Sequence, residues 1–205
     1  MKTAGGNIER YYRVHAPLYD ATRWSFLFGR REAIKRALKL ANPSTLTEVG
    51  CGTGYNLSHI ARRAPHIAIT GVDASAAMIT RCERKLKGYP QEIKLINRPY
   101  DHPLFQDNPQ ELIIFSYSLS MFGKGITEAI EAAASDLRPG GSLAAVDFHD
   151  TGKQWFREWM AFNHVTIGGT ILPLLREHFS TVECHIRRAY GGLWSYFIFI
   201  GIKKI

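Results

Sequence analysis

Three glycines at alternate positions, Gly50, Gly52 and Gly54 in the stretch LTEVGCGTGYN, stand between a short apolar run and a segment of helical period. Glycine accepts left-handed backbone without a steric penalty and lets main chain approach another surface closely. The stretch is therefore read as a tight strand-to-helix turn laid against something. The same alternation continues along the chain. Thr45 to Val49 reads as a first strand and Tyr55 to Arg63 as the helix after it. Ala68 to Val72 reads as a second strand, followed by a helix from Ser75 to Leu86 with Ser75 as its N-cap. Ile93 to Ile96, Leu112 to Ser116 and Ser142 to Phe148 read as further strands, with a helix over Thr127 to Leu137 that Pro139-Gly140-Gly141 ends. Strands alternating with helices predict a parallel sheet covered on both faces. Thr181 to Ala189 and Trp194 to Ile202 flank Gly191-Gly192 and read as an antiparallel hairpin closing the sheet, which makes seven strands.

The chain has 205 residues, 45% of them hydrophobic, and no repeat or linker that divides it. One domain is expected over residues 1–205, with 1–42 as an N-terminal helical cap and 43–205 as the core. No run of about 18 apolar residues marks a membrane span. The N-terminus lacks the apolar stretch of a secretory signal, so cytoplasmic residence is expected. Cys51, Cys82 and Cys184 are widely spaced, which suits reduced thiols and gives no metal spacing. A formal charge of +8 favours an anionic partner without choosing among substrate, lipid and nucleic acid.

In an open α/β sheet ligands bind beyond the carboxyl ends of the strands, which is where the glycine turn lies. A dinucleotide-binding turn needs G-x-G-x-x-G, but Tyr55 occupies the third glycine's place. Glu48 instead completes E-x-G-x-G-x-G, and Asp73 ends the second strand. This pairing resembles the class I S-adenosylmethionine-dependent methyltransferases, which implies a Rossmann-like α/β sandwich with N-terminal helices covering the site. The resemblance implies that S-adenosylmethionine is the cofactor and S-adenosylhomocysteine the product. Glu48, Gly50, Cys51, Gly52 and Gly54 would wrap its amino-acid end, and Asp73, with Ala74 and Met78 beside it, would take the ribose. An ionised carboxylate only accepts hydrogen bonds and so suits a vicinal diol or an ammonium group. The plainer reading is that the glycines only make the turn and that Asp73 caps the next helix. Asp101 and Tyr100 stand where the family meets the adenine, the first as an acceptor and the second as a stacking ring, although Arg98-Pro99-Tyr100 departs from the family's Gly-Asp-Ala. Ser116 closes the cofactor set.

For the acceptor, the N-terminal aromatic stretch from Tyr11 to Leu38 and FSYSLSMF at 115–122 resemble the bacterial diacylglyceryl-homoserine and phosphatidylethanolamine N-methyltransferases. That implies methylation of a lipid head-group amine, with Tyr11, Tyr12, Arg23, Trp24, Ser118 and Ser120 binding the acceptor and Tyr19, Tyr117 and His149 at the reacting centre. Aromatic faces attract the ammonium that forms, and His149 titrates in the range to take its proton. Core packing is the competing reading for each aromatic. The basic, helically spaced segment from Trp24 to Leu40 either lies on an anionic membrane's inner face or packs on the sheet. Trp155, Phe156, Trp159 and Met160 either deepen an acyl groove or fill core. The alternative function is methylation of a soluble small-molecule amine or hydroxyl. A nucleic-acid methyltransferase, which would want a base-flipping motif where SYSLSM stands, and a non-catalytic cofactor-binding protein are further rivals. No nucleic-acid partner and no metal are expected.

Overall fold

The computed structural model describes residues 26–91 and 93–204. The expected acceptor residues Tyr11, Tyr12, Tyr19, Arg23 and Trp24 lie outside them. Seven strands form one sheet: β1 (Thr45–Val49), β2 (Ala68–Asp73), β3 (Ile93–Asn97), β4 (Gln110–Ser116), β5 (Leu137–Phe148), β6 (Phe179–Ala189) and β7 (Trp194–Lys203). Their order is β3-β2-β1-β4-β5-β7-β6. The first five are parallel, and β7 runs antiparallel to both β5 and β6, so the C-terminal hairpin is as expected. Strand order reverses between β1 and β4, so the crevice opens at their carboxyl ends.

Side-chain alternation along β7 sorts the core into two sides. Phe197 and Phe199 face α4 (Ile126–Asp136) and α6 (Ile171–His178), whereas Ile198 and Ile200 face α1 (Arg30–Ala41), α2 (Tyr55–Arg63), α3 (Ala76–Leu86) and α5 (Gln154–Phe162). The basic N-terminal helix resolves accordingly. Ala33, Ile34 and Ala37 are buried against the sheet, while Arg31, Lys35 and Lys39 face out. Its packing face is the reading that holds for the described part of that segment. The aromatic group of α5 divides, with Phe156 and Met160 buried and Trp155 and Trp159 exposed.

Two local departures have physical causes. The helix expected to end at Leu137 ends at Asp136, because Leu137 already pairs with Gln110 and opens β5 before the Pro-Gly-Gly irregularity, where Gly140 has φ 73. Helix α6 was not expected. Pro173 obscures its pattern, yet it stands in the first turn, where a missing N–H costs nothing, and Ile171, Leu172 and Leu175 are buried.

A buried acid anchors the loop between β3 and β4. Asp136 at the end of α4 accepts from Tyr100 Oη at 2.7 Å and from the backbone N–H groups of Leu104 and Phe105 at 2.9 and 2.7 Å. Removing it leaves three buried donors unpaired. Asp136→Ala is expected to destabilise the protein by on the order of 3 kcal/mol, read from the midpoint of urea unfolding at constant m-value.

Candidate active site

The turn leaving β1 consists of left-handed residues at every second position: Gly50, Gly52 and Gly54 have φ of 73°, 53° and 76°. Gly50 and Cys51 donate to the Val72 carbonyl at 2.8 and 3.1 Å, which ties the turn to the tip of β2. The glycines serve different neighbours. A Cβ on Gly50 would lie 2.4 Å from Ser118 Cβ, and one on Gly54 would lie 2.5 Å from Cys82 Sγ. These two make room for protein, the β4 loop and α3 respectively. A Cβ on Gly52 would meet nothing within 4 Å. Gly52 alone faces open space, which is what a ligand-facing glycine requires.

Asp73 at the tip of β2 has one oxygen on each of two tasks. Oδ2 accepts from Gly52 N at 2.8 Å and Oδ1 from Ser75 N at 2.9 Å. The helix-entry reading and the turn-facing reading thus describe the same carboxylate. Ser75 caps α3, its hydroxyl accepting from Met78 N at 3.4 Å. Met78 is buried and Ala74 exposed.

Glu48 points into the protein from β1. Its Oε1 accepts from Asn56 Nδ2 at 2.6 Å, while Oε2 is buried without a partner, as is Asn56 Oδ1. Burial pushes the carboxyl up to about 8, opposed by the Asn56 hydrogen bond and the Arg30 charge and reinforced by Asp73. Oε2 is an acceptor with spare capacity beside an open glycine. An ammonium brought beside it would favour the ionised carboxylate, so the residues present fit the amino-acid end of S-adenosylmethionine.

Other expected residues are turned to structural tasks. Tyr100 is in the core, edge-on to Phe115 and bonded to Asp136, so its ring does not stack on a ligand. Asp101 is exposed on the loop rim with Oδ1 2.6 Å from His102 Nδ1. Tyr117 sits in left-handed backbone at φ 55°, its hydroxyl donating to the Phe28 carbonyl at 2.8 Å and its ring edge-on to Phe148. Burial holds that hydroxyl well above the ordinary tyrosine range, and its proton is committed to the Phe28 carbonyl. Ser118 Oγ donates to the Val49 carbonyl at 2.8 Å, and Ser120, wholly buried, gives its N–H to Asp147 Oδ2 at 3.1 Å. The Ser118 hydroxyl is thus committed to the backbone, whereas Ser120 Oγ is buried without a partner. Ser116 Oγ is enclosed at the end of β4 without a partner. His149, just past β5, is half-buried, with Nδ1 unpartnered and the ring edge-on to Phe197. Asp150 is exposed and paired with Arg157 at 3.0 Å. Among the described residues no group of three or more His, Cys, Asp or Glu is placed to hold a metal ion.

Two features escaped the sequence reading. Asn56, the partner of Glu48, follows the turn by two residues, and a polar residue on the inward face of α2 was the available signal. Arg30 and Arg31 stand over the Tyr55 ring, with guanidinium carbons 4.5 and 5.8 Å from its centre. They border a concavity of about 540 Å³ with Leu27, Gly29, Tyr55 and Tyr196. Tertiary packing alone brings those groups together.

With this geometry in place, comparison with known proteins is direct. A model of the methyltransferase domain matches residues 47–141. An uncharacterized methyltransferase of Emericella nidulans is 30% identical, the match covering 82% of this chain and 69% of that protein. The 2-phytyl-1,4-naphtoquinone methyltransferase of Nostoc punctiforme is 26% identical, over 88% of this chain and 82% of that enzyme. The malonyl-[acyl-carrier protein] O-methyltransferase of Magnetococcus marinus is 31% identical over 55% of this chain, and the match spans only 40% of that enzyme. The N-methyltransferase NodS from Bradyrhizobium japonicum WM9, solved with S-adenosyl-l-homocysteine, superimposes with a TM-score of 0.70 at 20% identity, over 90% of this chain and 92% of that one, a likeness of fold. The chain belongs to the class I S-adenosylmethionine-dependent methyltransferases. The lipid N-methyltransferase subfamily finds no support among these relatives.

Gly52→Ala is expected to cost about 1 kcal/mol of stability from its left-handed backbone but to lower S-adenosylhomocysteine affinity at least about tenfold, since the added methyl enters the ligand's space. Gly54→Ala should instead destabilise the fold by about 3 kcal/mol through its clash with Cys82. Paired calorimetry and thermal melts distinguish the two.

Glu48 also makes the ligand-free protein pH-sensitive. Below about 4.5 the carboxyl is neutral in folded and unfolded chains alike; between 4.5 and about 8 the folded chain keeps a proton that the unfolded chain has lost. Stability therefore falls as pH rises through that window, by a few kcal/mol in all. Glu48→Gln should remove the decline, seen as a rise in Tm relative to the native protein at pH 8 and none near pH 4.5.

Proposed function

We propose that this protein transfers the methyl group of S-adenosylmethionine to a small-molecule acceptor bearing an oxygen, carbon or nitrogen nucleophile. The observation that carries the proposal is the turn itself: an open Gly52 held by Asp73 beside the unpartnered Glu48 Oε2. The named relatives that bear on the acceptor act on malonyl-[acyl-carrier protein] and 2-phytyl-1,4-naphtoquinone, which favours such acceptors over a lipid head-group amine. When bound, the cofactor supplies an electrophilic methyl carbon.

The residues of the chain then divide the remaining work. Glu48 Oε2 takes the ammonium, the Asp73 carboxylate the ribose hydroxyls, and Asp101 the adenine edge. Positioning and exclusion of water carry most of the rate in a reaction of this type, roughly 7–11 kcal/mol for well-aligned partners. Where the acceptor loses a proton, we assign its receipt to His149, just past β5, whose Nδ1 is buried without a partner. The lipid reading keeps one structural observation, the exposed rings of Trp155, Trp159 and Phe162 along α5.

Incubation with methyl-labelled S-adenosylmethionine, in parallel with a water-soluble extract, a quinone extract and total lipid, is the deciding experiment. Label is expected in a small-molecule product identified by mass spectrometry. Label confined to amine-containing lipids would overturn the reading. His149→Ala is expected to lower kcat about 100-fold with S-adenosylhomocysteine affinity unchanged.

A further inference from the structure

Helices α1 and α2 run the same way, each from the carboxyl edge of the sheet to the amino edge, where β1 and β2 follow them. They are neighbours: Ile34 and Ala37 of α1 share a core with Leu57, Ile60 and Ala61 of α2, and Arg31 Nη2 donates to the Tyr55 hydroxyl at 2.5 Å. On their outward faces cations recur at helical spacing. Arg31, Lys35 and Lys39 are exposed and four residues apart, so each step along α1 advances about 6 Å. Beside them α2 carries His59, Arg62 and Arg63. Arg63 Nη1 lies 2.7 Å from His59 Nδ1, and burial, with the charges of Arg63, Arg31 and Arg62, holds that imidazole below its ordinary range. The α2 row thus feels a cation of α1.

Like charges at this spacing repel, and a solvated helix face ordinarily offsets them with acids. Here residues 33–72 contain one acid, the buried Glu48. Glu32 is taken by Arg36 at 2.8 Å and by Arg187 at 2.6 Å. Among the described residues, none of Arg31, Lys35, Lys39, Arg62 and Arg63 forms an ion pair. The repulsion is uncompensated in the free protein, and an anionic partner relieves it.

Two kinds of anionic partner fit this face poorly. Single-stranded nucleic acid stacks its bases on open rings, but Tyr55 lies under Arg30 and Arg31, and Tyr89 under Arg62. A lipid surface takes up apolar side chains, and the strongly exposed Trp155, Trp159 and Phe162 stand on α5 instead. An acidic helix fits well. Its carboxylates recur at the same step of about 6 Å, so one helix laid along the pair meets both rows at once.

We propose that the outward faces of α1 and α2 form a docking surface for an acidic helix of a protein partner. Tyr55 heads α2 directly after the glycine turn, so a helix seated there ends at the mouth of the crevice and sets its protein over the entrance. The inference goes beyond the proposed reaction and holds for any acceptor.

Fluorescence anisotropy tests it with two labelled alanine-rich peptides of one composition, the first carrying glutamates at every fourth position and the second carrying them scattered around the helix. A single-stranded oligonucleotide and phosphatidylglycerol vesicles are the competing probes. The in-register peptide is expected to bind the native protein at least about tenfold tighter than the scattered one, and more weakly as ionic strength rises. Lys35→Glu/Lys39→Glu should abolish that binding and Arg62→Gln/Arg63→Gln should weaken it about tenfold, with S-adenosylhomocysteine affinity and circular dichroism unchanged. Should the charge reversal not fold, Lys35→Gln/Lys39→Gln carries the comparison. The proposal is overturned if the in-register peptide fails to bind, binds no better than the scattered one or binds the variants as it does the native protein. It is equally overturned if the oligonucleotide or the vesicles bind this face more tightly than the peptide.

Discussion

The hydrogen bond from Gly52 to the Asp73 carboxylate joins the tips of β1 and β2, and the geometry of the site follows from it. A left-handed residue on either side keeps the turn from relaxing into α2, and the Val72 carbonyl holds its first two N–H groups. The carboxylate is therefore fixed before any ligand is present. A preorganised acceptor of this kind gives up little conformational entropy on binding.

Around that turn, buried polar groups are used sparingly and in a consistent direction. Asp136, Asp147 and Ser118 hold loops at the carboxyl end of the sheet through backbone partners. Glu48, Asn56 and Ser116 retain buried atoms without partners at the same end. Such atoms cost free energy in the ligand-free protein, and a ligand that satisfies them recovers it.

The inner strands β1, β2 and β4 were legible because each is short and largely apolar, with a turn signal or a helix beyond it. Ser75 as cap of α3 and the Gly191-Gly192 hairpin are cases where one residue type decides the local backbone. Glu48, the glycines and Asp73 were legible as a pattern, but their division of labour was not: that Gly50 yields to Ser118 and Gly54 to Cys82 depends on contacts 68 and 28 residues away along the chain. The hydroxyl partners of Tyr100 and Tyr117 were hidden for a related reason. A tyrosine after a strand looks the same in sequence whether its hydroxyl meets a ligand or a distant carbonyl, and here Asp136 and Phe28 supply the partners. The same holds for Arg30 and Arg31, whose meeting with Tyr55 requires α1 to cross the sheet.

The bond from Tyr117 to Phe28 couples two parts of the chain that are 89 residues apart. Tyr117 rides at the rim where β4 ends, in a backbone conformation that has little tolerance for drift, while Phe28 lies on the approach to α1. Parting the two would leave the Tyr117 hydroxyl without its acceptor beside Phe148, so the segment entering α1 and the end of β4 are held as one piece.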